Sequence, residues 1–145
     1  MKNNESRAPS LILVLGDQLT HNSGALKGAL PDRDAIVMAE VRTEATYVRH
    51  NRHKLVYIFA AMRHFRDQLR ALGFTVYYYP YEDGVASLHA AVTRALEASS
   101  VEQLCCCKPG EYRLLREMGE WDLPVPVTLL EDDRYLATEA EFAAW

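Results

Sequence analysis

Short solid apolar runs alternate along this chain with longer stretches in which apolar residues return every three or four positions. The first kind of pattern predicts strands buried on both faces, the second amphipathic helices. Residues 10–15 make the first strand, closed by a glycine. "AIVMAEV", 35–41, makes the second, introduced by the turn-like "PDRD". "FTVYYY", 74–79, is the third, ended by Pro80; "VEQLCCC", 101–107, is the fourth, and "VPVTLLE", 125–131, the fifth. Between strands two and three, Leu55, Ile58, Phe59, Met62, Phe65, Leu69 and Leu72 recur at helical spacing, with Arg63, Arg66, Asp67 and Arg70 on the opposite face and Gly73 as the stop. "VASLHAAVTRALEA", 85–98, is a second helix, "PGEYRLLREM" a short third, and "ATEAEFAAW" the start of a fourth.

Strands alternating with helices imply a parallel sheet covered on both faces. The expected fold is a three-layer α/β sandwich with a five-stranded, Rossmann-like parallel sheet in the order 3-2-1-4-5. Residues 1–145 read as a single domain, with no internal repeat or linker. In such sheets ligands bind beyond the carboxyl ends of the strands, where the strand order reverses. That place lies between strands one and four, at the tips Gly16-Asp17-Gln18-Leu19 and Lys108-Pro109-Gly110-Glu111.

Composition narrows the class without naming it. The chain is 49% hydrophobic and 25% charged, an ordinary globular mixture. A net charge of −4 does not suit a protein built mainly to bind nucleic acid. No apolar run approaches the ~18 residues of a membrane span, and the polar "MKNNESRAPS" lacks the apolar core of a signal peptide. The three cysteines are consecutive, Cys105-Cys106-Cys107, so neither a disulfide framework nor a spaced metal-ligand set is visible, and a reducing cytoplasm is the expected setting. On a strand, consecutive side chains point to opposite faces and cannot converge on one metal.

Absent motifs narrow the ligand. Neither G-x-G-x-x-G nor G-x-x-x-x-G-K-[ST] follows strand one, which excludes the dinucleotide fingerprint and the P-loop. A lone tip carboxylate cannot form the acidic cluster of a phosphoacceptor domain. Ser87 and His89, two residues apart on a helix, face different ways and make no nucleophile–base pair. What remains is Asp17 and Gln18 at the first tip, followed by "EVRTEATYVRH", 40–50, after strand two. Glu44 and Tyr47 lie one helical turn apart, with Thr43 in capping position and Val48 and Ile58 as apolar walls. A carboxylate, a phenol and aliphatic surface suit an uncharged ring bearing hydroxyls. The plainer readings are that Asp17 caps a turn, that Glu44 merely favours a helix start, that the cations of "RHNRHK" form a solvated face, and that Tyr77, Tyr78, Tyr79 and Tyr81 are strand packing.

"LILVLGDQLT", "AEVRTEATYVRHNRHKLVYIFAAMRHF" and "KPGEYR" together resemble the N-terminal domain of the deoxyribodipyrimidine photolyase-related proteins, the bacterial iron-sulfur (6-4) photolyases and cryptochromes. The resemblance runs from Leu11 to "DDRYLATEAEF". GDQL alone is a weak signal; followed by E-V-x-x-E-A-x-Y-V-x-H and A-M-R-H-F it is specific.

The resemblance implies a photolyase-type antenna domain that holds 6,7-dimethyl-8-ribityllumazine as a light-harvesting chromophore. By position, Gly16, Asp17, Gln18 and Leu19 would line the chromophore from strand one, Val41, Glu44 and Tyr47 from the second crossover, and Ile58 as an apolar wall. In the family, FAD and a four-iron four-sulfur cluster belong to a long C-terminal helical domain, which these 145 residues do not include. That domain is the implied partner; direct DNA binding and membrane contact are not expected, and a surface stripped of the helical domain favours a non-native dimer. The implied role is light harvesting with no catalytic residue in this chain, for a protein of DNA repair or light sensing. Two other classes stay open: a small α/β enzyme with Asp17 or Glu44 as general base on a sugar-like substrate, and a ligand-free docking domain.

Overall fold

The computed structural model describes residues 7–41 and 52–145. Five parallel strands, β1 (Ser10–Leu13), β2 (Ala35–Ala39), β3 (Thr75–Tyr79), β4 (Gln103–Cys107) and β5 (Val127–Leu130), form one sheet in the order β3-β2-β1-β4-β5. The described helices are α1 (Arg52–Ala71), α2 (Leu88–Glu97), α3 (Tyr112–Gly119) and the short α4 (Glu139–Ala143). This is the α/β sandwich that the apolar pattern predicts, and its strand order is the one expected for such a sheet.

Strand pleat divides the core in two. Leu11, Leu13, Leu15, Val37, Ala39 and Cys106 face α2 and α3, packing with Leu88, Val92, Leu114 and Met118. Ile12, Val14, Ile36, Met38, Cys105 and Cys107 face the other way, onto Met62, Phe65 and Leu69 of α1 and onto Ala25 and Leu26 of the β1–β2 crossover. The cysteine block therefore splits across the sheet as period-two geometry demands. All three thiols are buried and free.

Local signals place the helix ends. Gly73 has φ +92°, a conformation costly for any side chain with a Cβ, and it stops α1. The Ser87 hydroxyl accepts from the Ala90 N–H and caps α2. Thr138 and Glu141 form a reciprocal capping box on α4.

Two departures from the sequence pattern matter. The strand-five run reads as buried, yet β5 is an edge strand and Val127, Thr128 and Leu129 are exposed. Sheet position, which periodicity does not report, decides that burial. The apolar stripe of α1 is also longer than the core beneath it: Met62, Phe65 and Leu69 are buried, whereas Leu55, Ile58 and Phe59 project beyond the sheet and are only partly covered. Among the described residues no helix is long and apolar enough to cross a membrane.

Candidate functional site

Beyond the carboxyl ends of β1, β2 and β4 the layers splay and leave a cavity of about 430 Å³. Val14, Leu15, Gly16 and Asp17 bound it from β1, Ala39 and Val41 from β2, and Pro109, Gly110 and Glu111 from β4. The overhanging turns of α1 supply Lys54, Leu55, Ile58, Phe59 and Met62, while Leu88 and Leu114 close the far wall. The cavity thus lies at the point where the strand order reverses, and the projecting stripe of α1 is its roof. Its size falls in the usual range for small-molecule sites, about 300–1,000 Å³.

The two tips are held by specific contacts. Gln18 is buried and its Nε2 donates to the carbonyls of Cys107 and Lys108, both at 3.3 Å, so it stitches the β1 tip to the β4 tip. Gly16 is needed for close approach: a Cβ there would lie 3.2 Å from Met62 Sδ and 3.4 Å from Ile58 Cγ2. Asp17 is exposed at the rim. Its carbonyl accepts from Arg134 Nη1, while its carboxylate makes no hydrogen bond among the described residues. Lys108 does not bring free positive charge to the β4 tip, since its ammonium pairs with Glu139 at 2.9 Å and Glu131 at 3.7 Å.

Of the residues predicted from sequence, Gly16, Asp17, Val41 and Ile58 line this cavity. Gln18 and Leu19 do not: Gln18 is turned inward onto backbone, and Leu19 packs on the α1 side of the core. Glu44 and Tyr47, with Thr43 and Val48, lie outside the described residues. Lys54, Leu55, Phe59, Met62, Leu88 and Leu114 were missed as site residues. The Pro109–Glu111 lip lies at the second tip, where the strand order locates the site. The α1 residues carried the signal of an ordinary core stripe and nothing more.

A buried polar cluster supports the roof. Glu40, directly after β2, is 1% exposed. Its carboxylate accepts from Arg63 Nε at 2.7 Å, from Arg63 Nη2 at 2.8 Å, from the Tyr81 amide at 2.9 Å and from the Tyr78 hydroxyl. Burial on its own would raise its pKa; the Arg63 fork, the Tyr78 hydroxyl and the Tyr81 amide outweigh that and hold it below the usual value. Burial and the same carboxylate push the Tyr78 phenol up. The pattern does not flag Glu40 as buried, because a charged residue after an apolar run reads as the strand's solvated end.

The lining is chiefly aliphatic and aromatic, with Asp17, Lys54 and Glu111 as polar groups on the rim. Such a site fits a flat, mostly uncharged ring system with a hydroxylated substituent. Among the described residues no three His, Cys, Asp or Glu side chains could together hold a metal ion.

Comparison with known proteins bears on the same residues. Positions 12–145 match the family model described as "deoxyribodipyrimidine photo-lyase-related protein". The chain is also similar to a (6-4) photolyase of Agrobacterium fabrum (strain C58 / ATCC 33970), 37% identical over 139 residues. That alignment takes in 93% of this chain but only 27% of the relative's length.

Proposed function

This chain belongs to the deoxyribodipyrimidine photolyase-related family, and from that premise we propose that it is a light-harvesting chromophore-binding domain whose ligand is 6,7-dimethyl-8-ribityllumazine. The observation that carries this reading is the cavity at the strand-order reversal, about 430 Å³, apolar within and polar at its rim. The absence of a glycine-rich phosphate loop after β1 agrees with a ligand without phosphate. When bound, the chromophore would supply absorption of light and non-contact transfer of the excitation to a flavin. Val41, Ile58 and Phe59 would hold the ring and exclude water from it, and Asp17 would accept from hydroxyls at the rim; Glu44 and Tyr47 complete the proposed set, with Gln18 and Leu19 shaping the tip.

The remainder of the proposal concerns the longer protein. FAD and a four-iron four-sulfur cluster would belong to a helical domain that receives the excitation, in a cytoplasmic protein that repairs (6-4) lesions or senses light. A covering domain suits the exposed Tyr135, Leu136, Phe142 and Trp145 near α4, of which Leu136 and Trp145 are fully exposed. Repair chemistry would then need the partner domain, and this chain would contribute no catalytic residue.

The test is a titration of the purified chain with 6,7-dimethyl-8-ribityllumazine, followed by fluorescence anisotropy, beside Asp17→Ala and Glu44→Ala. Saturable binding weakened by both substitutions is expected. A folded wild-type chain that leaves the anisotropy flat across the titration overturns the proposal.

A further inference from the structure

The turn after β5 touches both lips of the cavity from outside. Asp132 starts it: its carboxylate is almost wholly buried and accepts from the Arg134 amide at 3.1 Å, while its carbonyl accepts from the Tyr135 amide at 3.1 Å. Arg134 then folds back on Asp132, with Nε at 2.9 and 3.1 Å from the two carboxylate oxygens and Nη2 at 2.5 Å from Oδ2. Its remaining arm, Nη1, donates to the carbonyl of Asp17 on the β1 lip. On the other side the Tyr135 hydroxyl lies against the β4 lip, so close that a Cβ on Gly110 would come within 3.1 Å of it. Asp133 fastens the turn to the β1–β2 crossover through Lys27 at 2.5 Å.

These contacts are more than closing one loop requires. The β1 lip has its own turn bonds, Gln18 N–H to the Leu15 carbonyl at 2.9 Å and Thr20 N–H to the Gln18 carbonyl at 2.8 Å. It is nevertheless gripped by a residue 117 positions further along the chain. A guanidinium suits the task because its donors form a rigid planar fork, two sides to the carboxylate and one to the carbonyl, which an ammonium cannot serve at once. Asp132 neutralises that charge, so the grip brings no free cation to the rim.

We infer that the Asp132–Tyr135 turn is a clasp that sets the width of the cavity mouth, with Arg134 as the positioning residue that fixes the Asp17 lip for ligand entry. The inference rests on the reading of the cavity as a ligand site. Arg134 does not itself line the cavity; its one contact with the lining is the hydrogen bond to the Asp17 carbonyl, through which it acts.

The experiment uses Arg134→Gln, Arg134→Lys and Tyr135→Phe in the full chain. It reads amide hydrogen exchange at Gln18 and Thr20 and affinity for 6,7-dimethyl-8-ribityllumazine. In Arg134→Gln the two tip amides should exchange roughly tenfold faster, with amides of β1 and β2 unchanged, and the lumazine Kd should rise roughly tenfold. Arg134→Lys, able to satisfy one partner at a time, should fall between. Tip exchange at the wild-type rate in Arg134→Gln with native circular dichroism overturns the clasp, as does a loosened tip with unchanged affinity. If wild type takes up no lumazine, the chromophore proposal fails by itself, and the clasp is judged on tip exchange alone. If Arg134→Gln does not fold, Arg134→Lys and Tyr135→Phe carry the same comparison.

Discussion

Arg63 grips the carboxylate of Glu40 with two parallel bonds of 2.7 and 2.8 Å, tying α1 to the end of β2. The carboxylate is out of contact with solvent, while the Arg63 side chain is 41% exposed. Glu40→Gln removes the charge, breaks the fork and leaves Tyr78 and Tyr81 with a poorer acceptor. A loss of about 2 kcal/mol is expected, below the about 3–5 kcal/mol of a wholly buried pair because Arg63 regains water. Urea unfolding followed by circular dichroism measures it.

The same cluster sets a pH dependence. The folded-state pKa of Glu40 lies below its ordinary 4.5, so its contribution is complete above that pH and is lost as pH falls through the folded value. Tyr78 works in the opposite sense: its phenol is raised above the ordinary 10.0, so its contribution holds below pH 10.0 and is lost as pH rises beyond it. Stability curves of wild type and Glu40→Gln should therefore converge at the acid end, and those of wild type and Tyr78→Phe at the alkaline end. Parallel curves would contradict this.

Gly16→Ala should fold, because the nearest obstacle to the new methyl is the flexible thioether of Met62. The repacking should cost about 1 kcal/mol and shrink the cavity under its roof. The expected result is a small fall in Tm with a much larger loss of lumazine binding. Equal affinity in the two proteins would show that the ligand does not approach Gly16.

The thiols of Cys105, Cys106 and Cys107 should not react with a disulfide reagent in the native chain, and all three should react in denaturant. Burial pushes the Cys105 and Cys106 thiols up, away from the reactive thiolate. A thiol that titrates rapidly under native conditions would mean that β4 opens.

Much of this molecule was legible in its sequence, for physical reasons. Solid apolar runs such as Leu11–Leu15, alternating with amphipathic helices, pointed to a parallel sheet between two helical layers, and the strand order common in such sheets then located the cavity. Other features depend on contacts that leave no periodic trace. Gln18 was expected to face ligand, yet it faces the Cys107 and Lys108 carbonyls, whose position relative to the β1 tip no local pattern reports. Glu40 looks solvated until Arg63 and Tyr78 arrive from two other elements. The link from Arg134 to Asp17 crosses the fold without any motif.

The outer edges of the sheet bear on behaviour at high concentration. Neither β3 nor β5 has a second strand neighbour among the described residues, so each offers backbone groups onto which another chain could add a strand. Both edges are blunted. β5 is only four residues long and is followed at once by Glu131 and Asp132. On β3, Pro80 ends the strand and Arg70 occupies the Val76 carbonyl at 3.1 Å. Strand-wise stacking of copies is therefore opposed at both ends, and charged or proline residues at these few positions do the work of keeping a small, hydrophobic sheet dispersed.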